Sequence, residues 1–342
     1  MSGVGWGVVG CSDIVERRAG EAIRQEGHSR LVAFHSRQRA RAEAFAARFG
    51  ADTAYDDLDR LLADDRISVV YIANEVDRHA PIAVAAARAG KHVLVEKPMA
   101  LDATECRAMV AAAARSGVHL AVAYYVRFFE KSIAMQRMIA GGAIGQVVRA
   151  TITQIGYVNP DPAAPKAWRV SGRGGGNMLA DVGSHRIDLL TYWLGRPERV
   201  AGLTDRLSLP YAAPDTETAL VRFAGGVHVT VLASANVPVG APATAGPNNA
   251  AGRTSIEVYG TDGALLTDPW SDAPVTVAGK NDPPVTCALP ANAHAPLVAD
   301  FATAIAEGRA PRFSGQDGMW ATAVIDGAAR SAASGRFVEI EP

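Results

Sequence analysis

The sequence predicts an α/β chain of two domains: a doubly wound parallel sheet first, then an α+β domain on a mixed or antiparallel sheet. Three observations carry this. Short apolar runs alternate with helical patterns as far as Val122, which is the grammar of βαβ units. From Tyr124 the pattern changes to strand-like runs without long helices between them. At 342 residues the chain is long enough for about two domains with real cores.

In the first domain, 6–10 reads as a short buried strand, followed by a helical pattern to about residue 25. Strands at 30–36, 53–55, 67–73, 92–96 and 118–122 alternate with helices at 38–49, 57–63, 80–89 and 102–116. Right-handed crossovers then give a doubly wound layer ending near Ala123. The second domain is assigned 124–342. It begins with a helix at 130–139 and one long strand at 147–157, where Thr151 and Thr153 alternate with Ile152 and Ile155. A Pro/Gly-rich loop at 159–176 precedes a strong helix at 178–193, stopped by Gly195 and Pro197. Strands follow at 200–205, 217–223, 227–233, 255–260, 264–268 and 274–278. Gly225-Gly226 and Thr261-Asp262-Gly263 are hairpin turn signals. Residues 236–252 read as a surface loop, and 296–307 and 316–334 as closing helices.

Composition excludes several classes. Lys and Arg number 34 against 35 Asp and Glu, with no basic block, which disfavours nucleic acid and membrane surfaces as partners. No apolar run approaches the length of a membrane helix. No basic segment precedes the first apolar run, which argues against a secretory signal. Cys11, Cys106 and Cys287 match neither a disulfide framework nor a zinc spacing, so the expected setting is cytoplasmic and no metal is expected.

Three constellations carry chemistry. The 92–96 strand ends in Glu96-Lys97-Pro98, and ligands of open α/β sheets sit at the carboxyl ends of strands. Pro98 restricts Lys97 to extended backbone, which aims its ammonium; the same three residues also suit a plain surface ion pair. The second is the turn Gly10-Cys11-Ser12-Asp13-Ile14-Val15, after the first strand and opening a helix, as a dinucleotide fingerprint requires. Ser12 and Val15 stand where the second and third glycines usually do, but free N–H groups at the helix start still suit phosphate, and Ser12 adds a hydroxyl. No acid occurs between Leu31 and Arg41 to take a ribose 2′-hydroxyl. Ser36, which can also cap the next helix, and Arg37 instead suit a 2′-phosphate, so NADP(H) is the expected cofactor and NAD(H) the alternative. The third is Asp181-Val182-Gly183-Ser184-His185-Arg186-Ile187-Asp188. Asp181 and His185 are four apart and share a helix face, giving a carboxylate–imidazole couple for proton transfer. Taken alone, this is equally an ordinary helix pair; a metal site is discounted because no third ligand has matching spacing.

The chain resembles the Gfo/Idh/MocA family of oxidoreductases. The resemblance rests on Gly7-Val8-Val9-Gly10, Asn74 with His79, the run from Ala89 to Pro98, Arg127-Phe128, Trp168-Arg169, and Gly175-Gly176 leading into Asp181-x-Gly183-x-His185. Ser12 and the Gly315-Gln316-Asp317-Gly318-Met319-Trp320 segment resemble its 1,5-anhydro-D-fructose reductase-like branch. The resemblance implies an N-terminal Rossmann domain and a C-terminal domain with a large open sheet, through which relatives form dimers or tetramers. It implies a catalytic trio of Lys97, Asp181 and His185, and a Lys97–Pro98 bond that is often cis. Cofactor contacts would come from Gly10, Ser12, Asp13, Ile14, Ser36, Arg37, Ala73, Asn74, His79, Glu96, Lys97, Trp168 and Arg169. Substrate contacts would come from Lys97, Arg127, Asp181 and His185. The expected activity is hydride transfer to or from a carbinol or ketone carbon of a sugar, polyol or related cyclic compound. Two rivals are a non-catalytic dinucleotide sensor and a redox-neutral glycosidase that retains its cofactor.

Overall fold

The computed structural model describes residues 3–159, 161, 172, 177–210, 212–237, 253–279 and 284–341. The chain forms two compact units, one of residues 1–128 with 290–319, the other of 129–289 with 320–342.

In the first unit six strands lie in the order β3-β2-β1-β4-β5-β6: β1 (Val4–Val9), β2 (Ser29–His35), β3 (Thr53–Tyr55), β4 (Val69–Ile72), β5 (His92–Val95) and β6 (Leu120–Val122). Every pairing in it is parallel. Parallel strands are covered on both faces, so they read as unbroken apolar runs, and β1 and β4 are buried at every position. The helices between them are α1 (Gly20–Gln25), α2 (Arg39–Phe49), α3 (Leu58–Leu62), α4 (His79–Arg88) and α5 (Ala103–Ser116). Two start on aspartate caps: Asp57 accepts from the N–H of Arg60 at 3.1 Å and Asp102 from that of Glu105 at 2.8 Å. Strand order reverses between β1 and β4, the switch point at whose carboxyl side such sheets bind ligands.

The second unit holds α6 (Glu130–Ala140), β7 (Val147–Ile155), α7 (Ser184–Leu194), β8 (Pro197–Asp205), β9 (Thr216–Phe223), β10 (His228–Ser234), β11 (Arg253–Gly260), β12 (Gly263–Thr267) and β13 (Thr276–Ala278). Both glycine turn signals lie where hairpins form, between β9 and β10 and between β11 and β12. Among the described residues only β7 and β10 pair in parallel here, so the sheet is mixed, with the order β13-β12-β11-β7-β10-β9-β8-β14. One face buries Ala150 and Ile152, Ala219 and Val221, Val229 and Val231, and Ile256 and Val258. Leu203 and Leu220 point out of the other. Along the buried face α6 and α7 pack together, with the Trp193 indole N–H donating to the Ser132 carbonyl at 3.0 Å.

Two closing helices follow, α8 (Ala295–Glu307) and α9 (Gly315–Ser334), and then the edge strand β14 (Val338–Glu339), which the sequence pattern does not announce. The sequence assigns everything after Ala123 to the second domain, but the chain divides differently. Segment 290–319 belongs with the first unit, where Phe301 of α8 meets the fully buried Trp6 of β1 with ring centroids 6.1 Å apart. Among the described residues no helix is long and apolar enough to cross a membrane.

Candidate active site

The first unit supplies a dinucleotide turn. Gly10 leaves β1 at φ +107°, and a Cβ there would lie 2.6 Å from the Ala73 carbonyl oxygen. Only glycine lets the chain turn this close to the end of β4. The Oγ of Ser12 and the Oδ1 of Asn74 are buried without a hydrogen-bond partner among the described residues. A tight glycine turn at the switch point, with one such polar atom in the turn and another at the end of β4, fits a phosphate-bearing dinucleotide. The helix after the turn starts as a π-helical turn, Val15–Ala19, before α1. Val15 is buried beneath it, and the close helix packing often given to a third glycine falls to Gly20, where a Cβ would stand 2.8 Å from the Phe49 ring.

The other cofactor candidates of this unit are placed variously. The exposed Asp13 pairs with Arg17, so its carboxylate is engaged on the surface. Ile14 lies half-buried in the same turn. Ser36 does not cap α2: its Oγ accepts from Gln38 N–H at 3.2 Å, and Gln38 is the cap position. The two residues after β2 form a tight local turn, which leaves the hydroxyl short of the first helical turn. Arg37 is exposed, with no ion pair or hydrogen bond to its side chain among the described residues, whereas Arg39 is engaged by Glu43 and Asp56.

At the end of β5, the Lys97–Pro98 peptide is cis and Lys97 is half-buried. Buried His79, at the start of α4, ties this end to that of β4. Its Nδ1 lies 3.0 Å from the Pro98 carbonyl oxygen and its Nε2 3.1 Å from that of Asn74. Burial holds the His79 pKa below its usual value, against the pull of those carbonyls, so the ring is neutral and donates to one at a time. Glu96 is turned inward. It accepts from the Tyr71 hydroxyl at 2.5 Å, from the His294 Nε2–H at 3.0 Å and from the Lys97 N–H at 3.2 Å. Burial pushes its carboxyl up, but the His294 and Tyr71 hydrogen bonds and the charge of Lys97 outweigh it, and the pKa falls below the ordinary value. Its carboxylate is thus spent on holding the backbone of Lys97, not presented at a surface. Arg127 is buried, its guanidinium 4.6 Å from the Phe313 ring centroid and donating to the Asp317 carbonyl at 3.3 Å.

The second unit holds Asp181 and His185, the pair that the sequence offers for proton transfer. Asp181 lies in a π-helical turn, Leu179–Gly183, which runs directly into α7 and its second residue, His185. Such turns recur at functional sites. Both side chains are buried, at 4% and 5% exposure. The His185 ring meets Trp270 edge-on at 5.6 Å between centroids, and the Arg186 guanidinium lies 4.3 Å from the centroid of that indole. The loop carrying Trp270 is fastened by Lys131, only 1% exposed, whose ammonium donates to the carbonyls of Asp268, Ser271 and Ala273. Trp168, Arg169 and the glycines at 174–176 lie outside the described residues. Sequence reasoning missed His294, Trp270, Lys131 and Glu217, which accepts from Leu179 N–H. For Glu217 a signal existed, a carboxylate in the otherwise apolar register of a strand; the others touch the site only through the fold. Among the described residues no group of three or more His, Cys, Asp or Glu is placed to hold a metal ion.

Comparison with known proteins gives a consistent picture. Residues 4–124 match the model of an oxidoreductase family with an NAD-binding Rossmann fold, and 133–266 that of the GFO/IDH/MocA C-terminal domain. The chain is 29% identical to the 1,5-anhydro-D-fructose reductase of Ensifer adhaerens over 98% of both chains. It is 30% identical to the inositol 2-dehydrogenase of Rhizobium meliloti strain 1021, over 98% of this chain and 99% of the relative. Among solved structures, levoglucosan dehydrogenase in complex with NADH and levoglucosan superposes with a TM-score of 0.86 at 25% identity, covering 99% of this chain and 100% of that one.

Proposed function

The chain belongs to the Gfo/Idh/MocA oxidoreductase family, and on that premise we propose that it transfers a hydride to or from a hydroxyl or ketone carbon of a sugar, polyol or related cyclic compound, with NADP(H) as the preferred cofactor. What supports the reading is, in the first unit, a half-buried lysine at the carboxyl end of β5, beside the strand that abuts the Gly10 turn, and, in the second, Asp181 and His185, both buried and four residues apart at a helix start. The bound nicotinamide supplies hydride chemistry. The residues that hold the dinucleotide are the Gly10–Ile14 turn with Ser12, Asn74 at the end of β4, and Arg37 after β2. Arg37, unoccupied by any acid, supports a 2′-phosphate ligand.

The protein's own part is the reacting oxygen and its proton. His185 takes the hydroxyl proton in oxidation and returns it in reduction. Asp181 orients the imidazole. Lys97 donates a hydrogen bond to the same oxygen and stabilises negative charge as it develops. The similarity to an anhydro-sugar reductase, an inositol dehydrogenase and a levoglucosan dehydrogenase supports a cyclic polyhydroxylated substrate. Leu203 and Leu220, 66% and 52% exposed on the open sheet face, support a homodimer or tetramer formed through it. That Cys11, Cys106 and Cys287 are not bridged by disulfides supports a cytoplasmic setting.

The test is a titration with NADPH and NADH, then turnover on ketoses, anhydro-sugars, inositols and dihydrodiols followed at the nicotinamide absorbance. Lys97→Ala, Asp181→Ala and His185→Ala should each lower kcat by roughly 10²–10⁴-fold while dinucleotide affinity stays within a few-fold. Wild-type turnover in all three, or a chain that binds dinucleotide and neither oxidises nor reduces any of the panel, defeats the assignment.

A further inference from the structure

Strand register puts a polar row where a core row belongs. On the helix-covered face, Glu217 of β9 pairs with Ala233 of β10, Ala233 with Gln154 of β7, and Gln154 with Thr254 of β11. The next row along the same face is Ala219, Val231, Ile152, Ile256 and Thr267. Glu217 is 3% exposed, and its strand otherwise turns Ala219, Val221 and Phe223 to that face. A carboxyl group in such a row is costly unless something needs it there.

What it meets is the start of the segment that carries Asp181 and His185. The first N–H groups of a helix have no partner within it. Here Asn177 covers one of them, its Oδ1 accepting from Ala180 N–H at 2.6 Å, while its carbonyl opens the helical ladder by accepting from Asp181 N–H at 2.9 Å. Leu179 N–H is left over, and Glu217 Oε2 accepts it at 3.0 Å from across the unit. Seven residues on, the Arg186 guanidinium donates to Thr254 Oγ1, at the far end of the same row. The span agrees with this: three strand spacings are about 14 Å, and seven residues of helix rise about 10 Å, the side chains making up the rest. The segment is therefore pinned at both ends to one transverse row of the sheet, with the proton-transfer couple between the pins.

We propose that Glu217 is a positioning residue: by accepting the Leu179 N–H it sets where the Asp181–His185 segment lies on the sheet, with Thr254 holding the other end through Arg186. This rests on the hydride-transfer reading above for its catalytic consequence, though not for the anchoring itself. The anchor needs only an acceptor oxygen aimed at the N–H, which the neutral carboxylic acid supplies as well as the carboxylate.

The experiment compares three substitutions in the full chain. Glu217→Leu removes the acceptor, Glu217→Asp draws it back by one methylene, and Glu217→Gln keeps a carbonyl oxygen in place. The Leu and Asp variants should lose about 10- to 100-fold in kcat, with dinucleotide affinity unchanged, while the Gln variant stays within about threefold of wild type. Amide hydrogen exchange across 178–188 should quicken in the Leu and Asp variants and not in the Gln variant. Should Leu not fold, the Asp and Gln pair decides alone. Unchanged kcat and exchange in the Asp variant, or a Gln variant as impaired as it, overturns the proposal. The exchange readout needs no turnover, so a wild-type chain without dehydrogenase activity defeats the functional reading while faster exchange still upholds the anchor.

Discussion

A carboxyl buried opposite Ala233, in a strand face that continues as Ala219 and Val221, carries a pH dependence whose sign is fixed. Burial pushes the Glu217 pKa from 4.5 up to about 7, against the pull of the Leu179 N–H. The folded chain then holds this proton more tightly than the unfolded one. Its contribution to stability is fully present below about pH 4.5 and is lost as pH rises through about 7. Over that window the wild-type chain should lose about 3 kcal/mol relative to Glu217→Gln, which does not titrate. Denaturant unfolding of both proteins at a series of pH values measures the difference. Parallel stability–pH curves would show that the group keeps an ordinary pKa. At this scale the sequence discloses what a local motif contains. Gly10, Lys97, Asp181 and His185 are each marked by their neighbours in the chain. His294 on Glu96 and Trp270 on His185 are not, because no short-range pattern ties residues 198 apart, as the first pair are, or on separate elements.

Among elements, strands and helices of the first unit are readable because burial on both faces leaves unbroken apolar runs and because aspartate caps mark two helix starts. The π-helical turns at Val15–Ala19 and Leu179–Gly183 are invisible, since one extra residue per turn leaves the amphipathic pattern almost intact. Two-residue β14 is too short to have a pattern. The loop from Asp268 to Ala273 shows how an element with few apolar residues is held. Its carbonyls converge on one ammonium from α6, and burial lowers the Lys131 pKa although Asp268, Cys287 and Asp272 pull it upward. Lys131→Met keeps most of the side-chain volume and removes all three donors. It should cost about 2–4 kcal/mol in denaturant unfolding. It should also lower kcat, because the loop sets Trp270 against the imidazole. Wild-type stability together with wild-type turnover in this variant would show that the loop holds itself.

For the whole molecule, the difference between sequence and structure lies in where one domain stops. A linear reading closes the first domain near Ala123, where the βαβ grammar ends, because periodicity reports neighbours along the chain and not a later return. The fold brings 290–319 back to that unit, and three contacts show why it is integral. Phe301 covers the Trp6 ring, His294 completes the hydrogen bonds of Glu96, and the Asn292 amide donates to the Arg18 carbonyl at 2.9 Å. Without the return segment, Glu96 keeps the Tyr71 hydroxyl and the Lys97 N–H but its buried carboxylate loses the His294 N–H, a deficit of about 1–3 kcal/mol on its own. The uncovered Trp6 adds the loss of burial of a large aromatic side chain. A domain has only about 5–15 kcal/mol in hand. The fragment 1–123 should therefore not reach a cooperatively folded state. Residues 1–128 joined by a flexible linker to 290–319 should fold and bind dinucleotide. Amide dispersion in NMR spectra and a thermal melt of each fragment decide it. A sharp melt and full dispersion in the shorter fragment would mean that the sheet and its own helices suffice, and that the return segment only rests on a domain already complete.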